Sequence, residues 1–219
     1  MTVTLTYRDK IAVLDLGDDE NRFSPDWLDT VDRLLDEVQQ NAHALVTTAT
    51  GKFYSNGLDL EWLTAHGDRA QWYVGRVQAL FGRILTFPLP TVAAVVGHAF
   101  GAGAMLAIAH DYRVMRADRG YYCFPEVDIH IPFTPGMAAL IQAKLTPQTA
   151  VTAMTTGRRY GGLEAEAAGL VDRTAGADGV LDAAVELVTP LAGKDPGTLG
   201  AIKSTMYAAA VDALAQGRA

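Results

Sequence analysis

The sequence predicts an α/β core with a helical C-terminal extension, and three observations carry that reading. Two short apolar runs, Ala44 to Thr48 and Thr91 to Val96, read as buried strands. Each is followed by turn residues and then a helical pattern, so the chain alternates β, α, β, α, β. From Pro135 onward, helical patterns dominate to the C-terminus. A length of 219 residues suits one sizeable domain, and 49% hydrophobic against 20% charged residues excludes disorder.

Taken in order, Thr2 to Leu16 alternates through Val3, Leu5, Tyr7, Ile11 and Val13 and breaks at Asp9-Lys10, which predicts a hairpin. Gly17 to Arg22 is a polar turn. Ser24-Pro25 then supplies an N-cap and a proline at the first helical position. Leu28, Val31, Leu34, Leu35 and Val38 follow at helical spacing. Thr50 to Gly57 has turn chemistry. Glu61 to Phe87 reads as one or two helices, ended by Pro88 and Pro90. Gly97 to Gly103 is a small-residue turn leading into a helix from Ala104 to His110. Tyr112 to Met115 and Tyr121 to Ile131 read as further strands around a charged turn. No repeat, low-complexity tract or linker interrupts the chain.

Charge and targeting narrow the function classes. With 18 basic and 25 acidic residues the net charge is −7, which argues against general binding to nucleic acid or anionic membrane. The single Cys123 excludes an intramolecular disulfide framework and suits a reducing compartment. Met1-Thr2-Val3-Thr4 opens a strand pattern rather than a leader, and the tail Gln216-Gly217-Arg218-Ala219 matches no retention or peroxisomal signal. The longest apolar stretch, Ala99 to Ala109, is far short of the roughly 20 residues that span a bilayer. The expectation is a soluble cytoplasmic protein.

Three segments have the composition of sites. In Lys52 to Leu60, Asn56-Gly57 serves either as a plain turn or as a loop whose N–H groups face an anionic oxygen just before a helix. In Gly97 to Leu106 a strand meets a small-residue turn and a helix. Close packing explains it, and so does a generic anion site at the helix start; a dinucleotide fingerprint fails because Leu106 stands where Gly or Ala is required. In Tyr121 to Pro132, a period of two puts Glu126, Asp128 and His130 on one face and Val127, Ile129 and Ile131 on the other. That face is either solvated, or it holds Glu126 in a desolvated wall, where a raised pKa makes a base near neutrality. The five histidines lack metal spacing, and no nucleophile elbow occurs.

Together, Phe53 to Leu60, Pro90 to Asp111, Phe124 to Ile129 and the later Thr156-Gly157, Glu164-Ala165 and Gly169-Leu170-Val171 resemble the crotonase (enoyl-CoA hydratase/isomerase) superfamily. The match covers nearly the whole chain. Phe53 to Leu60 and Glu126-Val127-Asp128-Ile129 look most like the short Δ3,Δ2-enoyl-CoA isomerases. The resemblance implies a spiral of β-β-α repeats over residues 1–155 and a helical region over 156–219 that makes homotrimer or dimer-of-trimers contacts. It implies an acyl-CoA thioester substrate, with no metal and no cofactor beyond the CoA of the substrate. The family's oxyanion hole maps onto the backbone N–H groups of Asn56 and Ala102, and its catalytic carboxylate onto Glu126. Ser55, Gly57, Leu58, Asp59, Leu60, Gly101 and Met105 are expected to contact substrate, and Lys203 or a neighbouring subunit to meet the CoA phosphates.

Hydratases of this family carry a second glutamate where Met105 stands. Water addition wants two carboxylates, whereas moving a double bond from C3 to C2 needs one base. The resemblance therefore favours an isomerase using Glu126, ahead of another crotonase reaction such as hydration or thioester hydrolysis, and ahead of a non-catalytic acyl-CoA-binding protein.

Overall fold

The computed structural model describes residues 3–216, so Met1-Thr2 and the tail Gly217-Arg218-Ala219 lie outside the described residues. The hairpin forms as expected: β1 (Thr4–Arg8) and β2 (Ile11–Asp15) pair antiparallel, and Asp9 turns the corner with φ 54°. Helix α1 (Pro25–Asn41) starts where the sequence placed its cap. The Ser24 hydroxyl accepts the Trp27 N–H at 3.3 Å, and Leu28, Val31, Leu34, Leu35 and Val38 point into the core. Each such side chain contributes about 1.5–3 kcal/mol by leaving water.

Three β-β-α turns follow. The first is β3 (Ala44–Thr48), β4 (Phe53–Ser55), and two helices, α2 (Leu60–Ala65) and α3 (Ala70–Leu85), separated by a 3₁₀ turn. The second is β5 (Thr91–Val95), β6 (His98–Phe100) and α4 (Ala102–Ala109). The third is β7 (Tyr112–Arg116), β8 (Tyr122–Cys123) and α5 (Pro135–Lys144). In every turn the first strand enters a six-stranded sheet and the second a three-stranded sheet. This is the expected spiral.

The rest of the chain is α6 (Pro147–Thr156), α7 (Gly162–Ala167), β9 (Arg173–Ala175), α8 (Val180–Val188), α9 (Pro196–Met206) and α10 (Ala208–Ala215). Residues 156–219 are therefore not wholly helical: β9 joins β7 as the last strand of the large sheet, in the order β1-β2-β3-β5-β7-β9. One face of that sheet meets α8 through Val46, Val92, Ala94 and Val114 against Val180, Ala184 and Val188; the other faces the main core. Burial on both faces is why β3 and β5 read as unbroken apolar runs.

Charged groups buried beside this sheet are paired. Lys203 Nζ on α9 donates to Leu89 O at 2.8 Å and to Asp111 Oδ2 at 2.6 Å. Arg113 meets Asp172 at 2.7 Å. His110, fully buried, meets the Thr47 hydroxyl at 3.0 Å, and burial drives its pKa down to about 3. The first two ties hold the C-terminal region to the spiral. No helix among the described residues is long and apolar enough to cross a membrane.

Two expectations need correction. Strand β8 stops at Cys123, and the expected strand beyond it is a coil of tight turns: the N–H groups of Asp128 and Ile129 both donate to Pro125 O, and that of Ile131 to Glu126 O. Pro125 has no N–H for a ladder, and His130 adopts φ 59°, so the alternation of Glu126, Asp128 and His130 has no sheet to act on. Glu126 alone turns inward, while Asp128 and His130 are exposed. Helix α4 also starts at Ala102 rather than Ala104, because Gly101 turns the chain at φ 51° and ψ −121°, which L side chains rarely adopt.

Candidate active site

The three strands of the small sheet, β4-β6-β8, run parallel and end side by side. Their C-terminal ends deliver Asn56-Gly57-Leu58, Gly101-Ala102 and Pro125-Glu126 to one place, where α/β sheets bind ligands. A cavity of about 350 Å³ opens there, walled by Asn56, Leu58, Leu60, Gly101, Ala102 and Glu126. Six of the ten site residues expected from the sequence thus share one wall.

Glycines bring the backbones together. A Cβ at Gly57 would lie 2.8 Å from Ala102 N, and one at Gly103 would lie 2.3 Å from Ser55 O. Any side chain at either position pushes the loop off the start of α4. Ser55 secures the loop from beneath, its hydroxyl accepting the Gly57 N–H at 3.0 Å and donating to Asn21 O at 2.8 Å.

The donors differ from the expected pair. The Asn56 N–H is already used, donating to Glu20 O at 2.8 Å, so it has no proton to offer a ligand. The next free donor along the loop is Leu58 N–H, which has no acceptor among the described residues, and Ala102 N–H has none either. Both residues line the cavity. Ala102 opens α4, so the helix dipole adds to its attraction for negative charge.

Glu126 is only 8% exposed, and its Oε2 has no hydrogen-bond partner among the described residues. Burial pushes its carboxyl up to about 7, opposed only by its own backbone N–H. The carboxyl lies over the turn into α4, with Oε1 3.3 Å from where a Gly101 Cβ would sit. Among the described residues it is the only acid in the cavity wall. A half-protonated carboxyl beside unpaired N–H donors is equipped to move a proton next to a developing oxyanion.

The remaining expected residues sit elsewhere. Asp59 caps α2 by accepting the Trp62 N–H at 2.9 Å. Gly57 and Ser55 shape the loop from behind the wall. Met105 follows Ala102 by one helical turn, but at 1% exposure it packs into the hydrophobic core and does not reach the cavity wall. Lys203 is buried in its pair with Asp111 and is not available to phosphates. The cavity instead carries two cations that sequence reasoning missed, Arg22 and Arg159. Arg22 is held by Glu20 at 2.6 Å and by Leu58 O at 3.1 Å, and the Arg159 guanidinium lies 5.7 Å over the Phe100 ring. Arg159 lies beside the Thr156-Gly157 pair that carries part of the family resemblance, which was the available signal; Arg22 gave none beyond its place in a polar turn.

Known proteins resemble this chain in sequence and in fold. The family model described as enoyl-CoA hydratase/isomerase matches residues 7–219. Enoyl-CoA delta isomerase 3 of Arabidopsis thaliana is 39% identical over 202 residues, covering 87% of this chain and 85% of its own. The crystal structure of an enoyl-CoA hydratase from Mycobacterium marinum superposes with TM-score 0.90 at 29% identity, covering 99% of this chain and 96% of its own. Human mitochondrial delta3-delta2-enoyl-CoA isomerase shares the fold, with TM-score 0.88 at 22% identity over 99% of this chain and 87% of its own.

Proposed function

The chain belongs to the enoyl-CoA hydratase/isomerase family, and on that footing we propose that it is a Δ3,Δ2-enoyl-CoA isomerase with Glu126 as its only side-chain acid/base. The ionised Glu126 carboxylate takes a proton from C2 of a 3-enoyl thioester. The electron pair left behind spreads into the thioester carbonyl, giving a dienolate whose oxygen accepts the N–H groups of Leu58 and Ala102. Glu126 then returns the proton at C4 and the double bond settles between C2 and C3. The proton count balances without water or a second acid. One oxyanion donor is worth about 10²–10³ in rate, and positioned acid–base catalysis about 10²–10⁴.

The observation that supports isomerisation over hydration is the lone carboxyl: among the described residues no second acid joins Glu126 on the cavity wall to hold a water. The argument from Met105 changes form. Methionine there leaves the second acid out, but from within the core rather than as a lining of the cavity. Arg22 and Arg159 replace Lys203 as the partners for the CoA phosphates. In this reading the protein assembles as a homotrimer or dimer of trimers, for which the exposed Ile202 and Met206 of α9 offer apolar surface.

The test is incubation with a panel of 3-enoyl-CoAs, following the conjugated 2-enoyl product by absorbance and mass. Isomerisation leaves the mass unchanged. A hydrated product formed as fast as the isomer overturns the choice of reaction, and acyl-CoA binding without turnover overturns the enzyme.

A further inference from the structure

The loop that carries the free Leu58 N–H is built on a distant part of the chain. Every one of its residues from Phe53 to Leu58 bonds to the turn before α1, within Glu20 to Phe23. Asn21 Nδ2 donates to Phe53 O at 3.2 Å and to Tyr54 O at 3.1 Å. Ser55 Oγ donates to Asn21 O at 2.8 Å, and the Asn56 N–H to Glu20 O at 2.8 Å. Gly57 O accepts the Phe23 N–H at 2.9 Å, and Leu58 O accepts from Arg22 Nη1 at 3.1 Å.

The bond at Gly57 aims the donor. No cis peptide occurs among the described residues, and in a trans peptide the C=O and the following N–H point in opposite directions. With Gly57 O turned toward Phe23, the Leu58 N–H points away from that turn, and Leu58 itself lines the cavity.

Asn21 anchors the turn. It is fully buried at φ 48°, a conformation that asparagine and aspartate adopt more readily than most L residues. Its Nδ2 also reaches Gly17 O at 3.2 Å, so the two amide protons face three carbonyls. Exchanging the O and N of the amide would set Oδ1 against the same oxygens, which fixes its orientation. Oδ1 is left buried without a partner among the described residues, a cost that the Nδ2 bonds offset.

We propose that Asn21 is a positioning residue for the reaction. By tying the turn from Glu20 to Phe23 to the end of β4, it sets the direction of the Leu58 N–H toward the developing oxyanion. The role rests on the isomerase reading above, in which that N–H meets the dienolate oxygen. Asn21 is not on the cavity wall, so its loss is felt in the transition state more than in ground-state binding.

The test is Asn21→Asp, which keeps the size of the side chain and suits the left-handed backbone but turns both donors into acceptors. Wild type and variant are compared on the 3-enoyl-CoA that the wild type turns over best, and on the saturated acyl-CoA of equal length, isotope-labelled at the thioester carbonyl. A fall in kcat of about 10²-fold is expected, with Kd for the saturated acyl-CoA within about threefold. In the infrared, the bound carbonyl should absorb at higher frequency in the variant, because a misaimed donor polarises it less. Ser55→Ala removes the hydroxyl between Asn21 O and the Gly57 N–H, and decides the matter if Asn21→Asp does not fold. It should cost about tenfold in kcat, the yield of one hydrogen bond, with a smaller carbonyl change in the same direction. Lys203→Met lowers stability at the large sheet and should leave kcat and the carbonyl frequency as they are. An unchanged kcat or carbonyl frequency in Asn21→Asp, or in Ser55→Ala if the aspartate variant does not fold, overturns the inference. So does an equal carbonyl change in Lys203→Met, which would report general loosening. These results sink the inference while wild-type turnover upholds the isomerase reading; a wild type that isomerises no 3-enoyl-CoA overturns both.

Discussion

The two sheets treat their buried polar groups in opposite ways. Around the six-stranded sheet each buried charge is answered, Lys203 by Asp111, Arg113 by Asp172, and neutral His110 by Thr47. At the ends of the three-stranded sheet the polar groups are left unanswered: Glu126 Oε2, and the N–H groups of Leu58 and Ala102, have no partner among the described residues. Strand length shows the same division. Strands β2, β3, β5 and β7 have five residues each and knit a core, whereas β4, β6 and β8 have three, three and two and serve to aim the loops at their ends. Stability is built where polar groups are satisfied, and reactivity where they are withheld from one another and kept for a substrate.

That contrast breaks most visibly if the paired region is unpaired. Lys203→Met leaves the half-buried Asp111 without its cation, and we expect a loss of up to about 3–5 kcal/mol in a denaturant titration. A loss below about 1 kcal/mol would mean that the pair is not what ties α9 to the spiral. The small sheet is expected to respond in activity instead. Gly103→Ala sets a Cβ 2.3 Å from Ser55 O, so the loop must move off α4. Turnover should fall by about 10²-fold, as misplacements near 1 Å do, with a stability cost of about 1–3 kcal/mol. Unaltered kinetics would show that the approach of the loop to α4 does not set the donor geometry.

The sign of the effect reverses at Glu126. Its carboxyl pKa is about 7 in the fold against 4.5 unperturbed, so ionising it opposes folding. The penalty is fully present above about 7, shrinks as pH falls, and vanishes below 4.5, where both states are protonated. Glu126→Gln should therefore raise stability by about 1–3 kcal/mol at pH 8 and leave it unchanged at pH 4. Equal melting temperatures of the two proteins at pH 8 would argue that the carboxyl is solvated. The same ionisation predicts a modest kinetic signature: kcat/KM rises with pH and levels off above about 7, because only the carboxylate can take the C2 proton. A limb near 4.5 would place the base in water.

Much of this division was legible in the sequence, but unevenly. The apolar runs at β3 and β5, the Ser24 cap and the glycine-bearing turns are local signals and appear where expected. Errors came where a distant partner decides. Asn56 looks as eligible as Leu58 until Glu20 O is seen to take its N–H. Lys203 reads as a free cation because Asp111 lies 92 residues away. The run from Tyr121 to Ile131 alternates like a strand, yet Pro125 and the left-handed His130 coil it into turns that point Glu126 inward. The segment left Glu126 open as either a solvated or a desolvated carboxyl, and family resemblance chose between them; its isolation from other acids became visible only once three strand ends were brought together.

The central claim is that this isolated carboxyl does the proton transfer alone. Its most direct test is the turnover of a 3-enoyl-CoA by Glu126→Gln, alongside the affinity of the same variant for a non-reacting acyl-CoA. The account predicts a fall in kcat of about 10²–10⁴ with Kd essentially unchanged. Isomerisation by Glu126→Gln at close to the wild-type rate would contradict it.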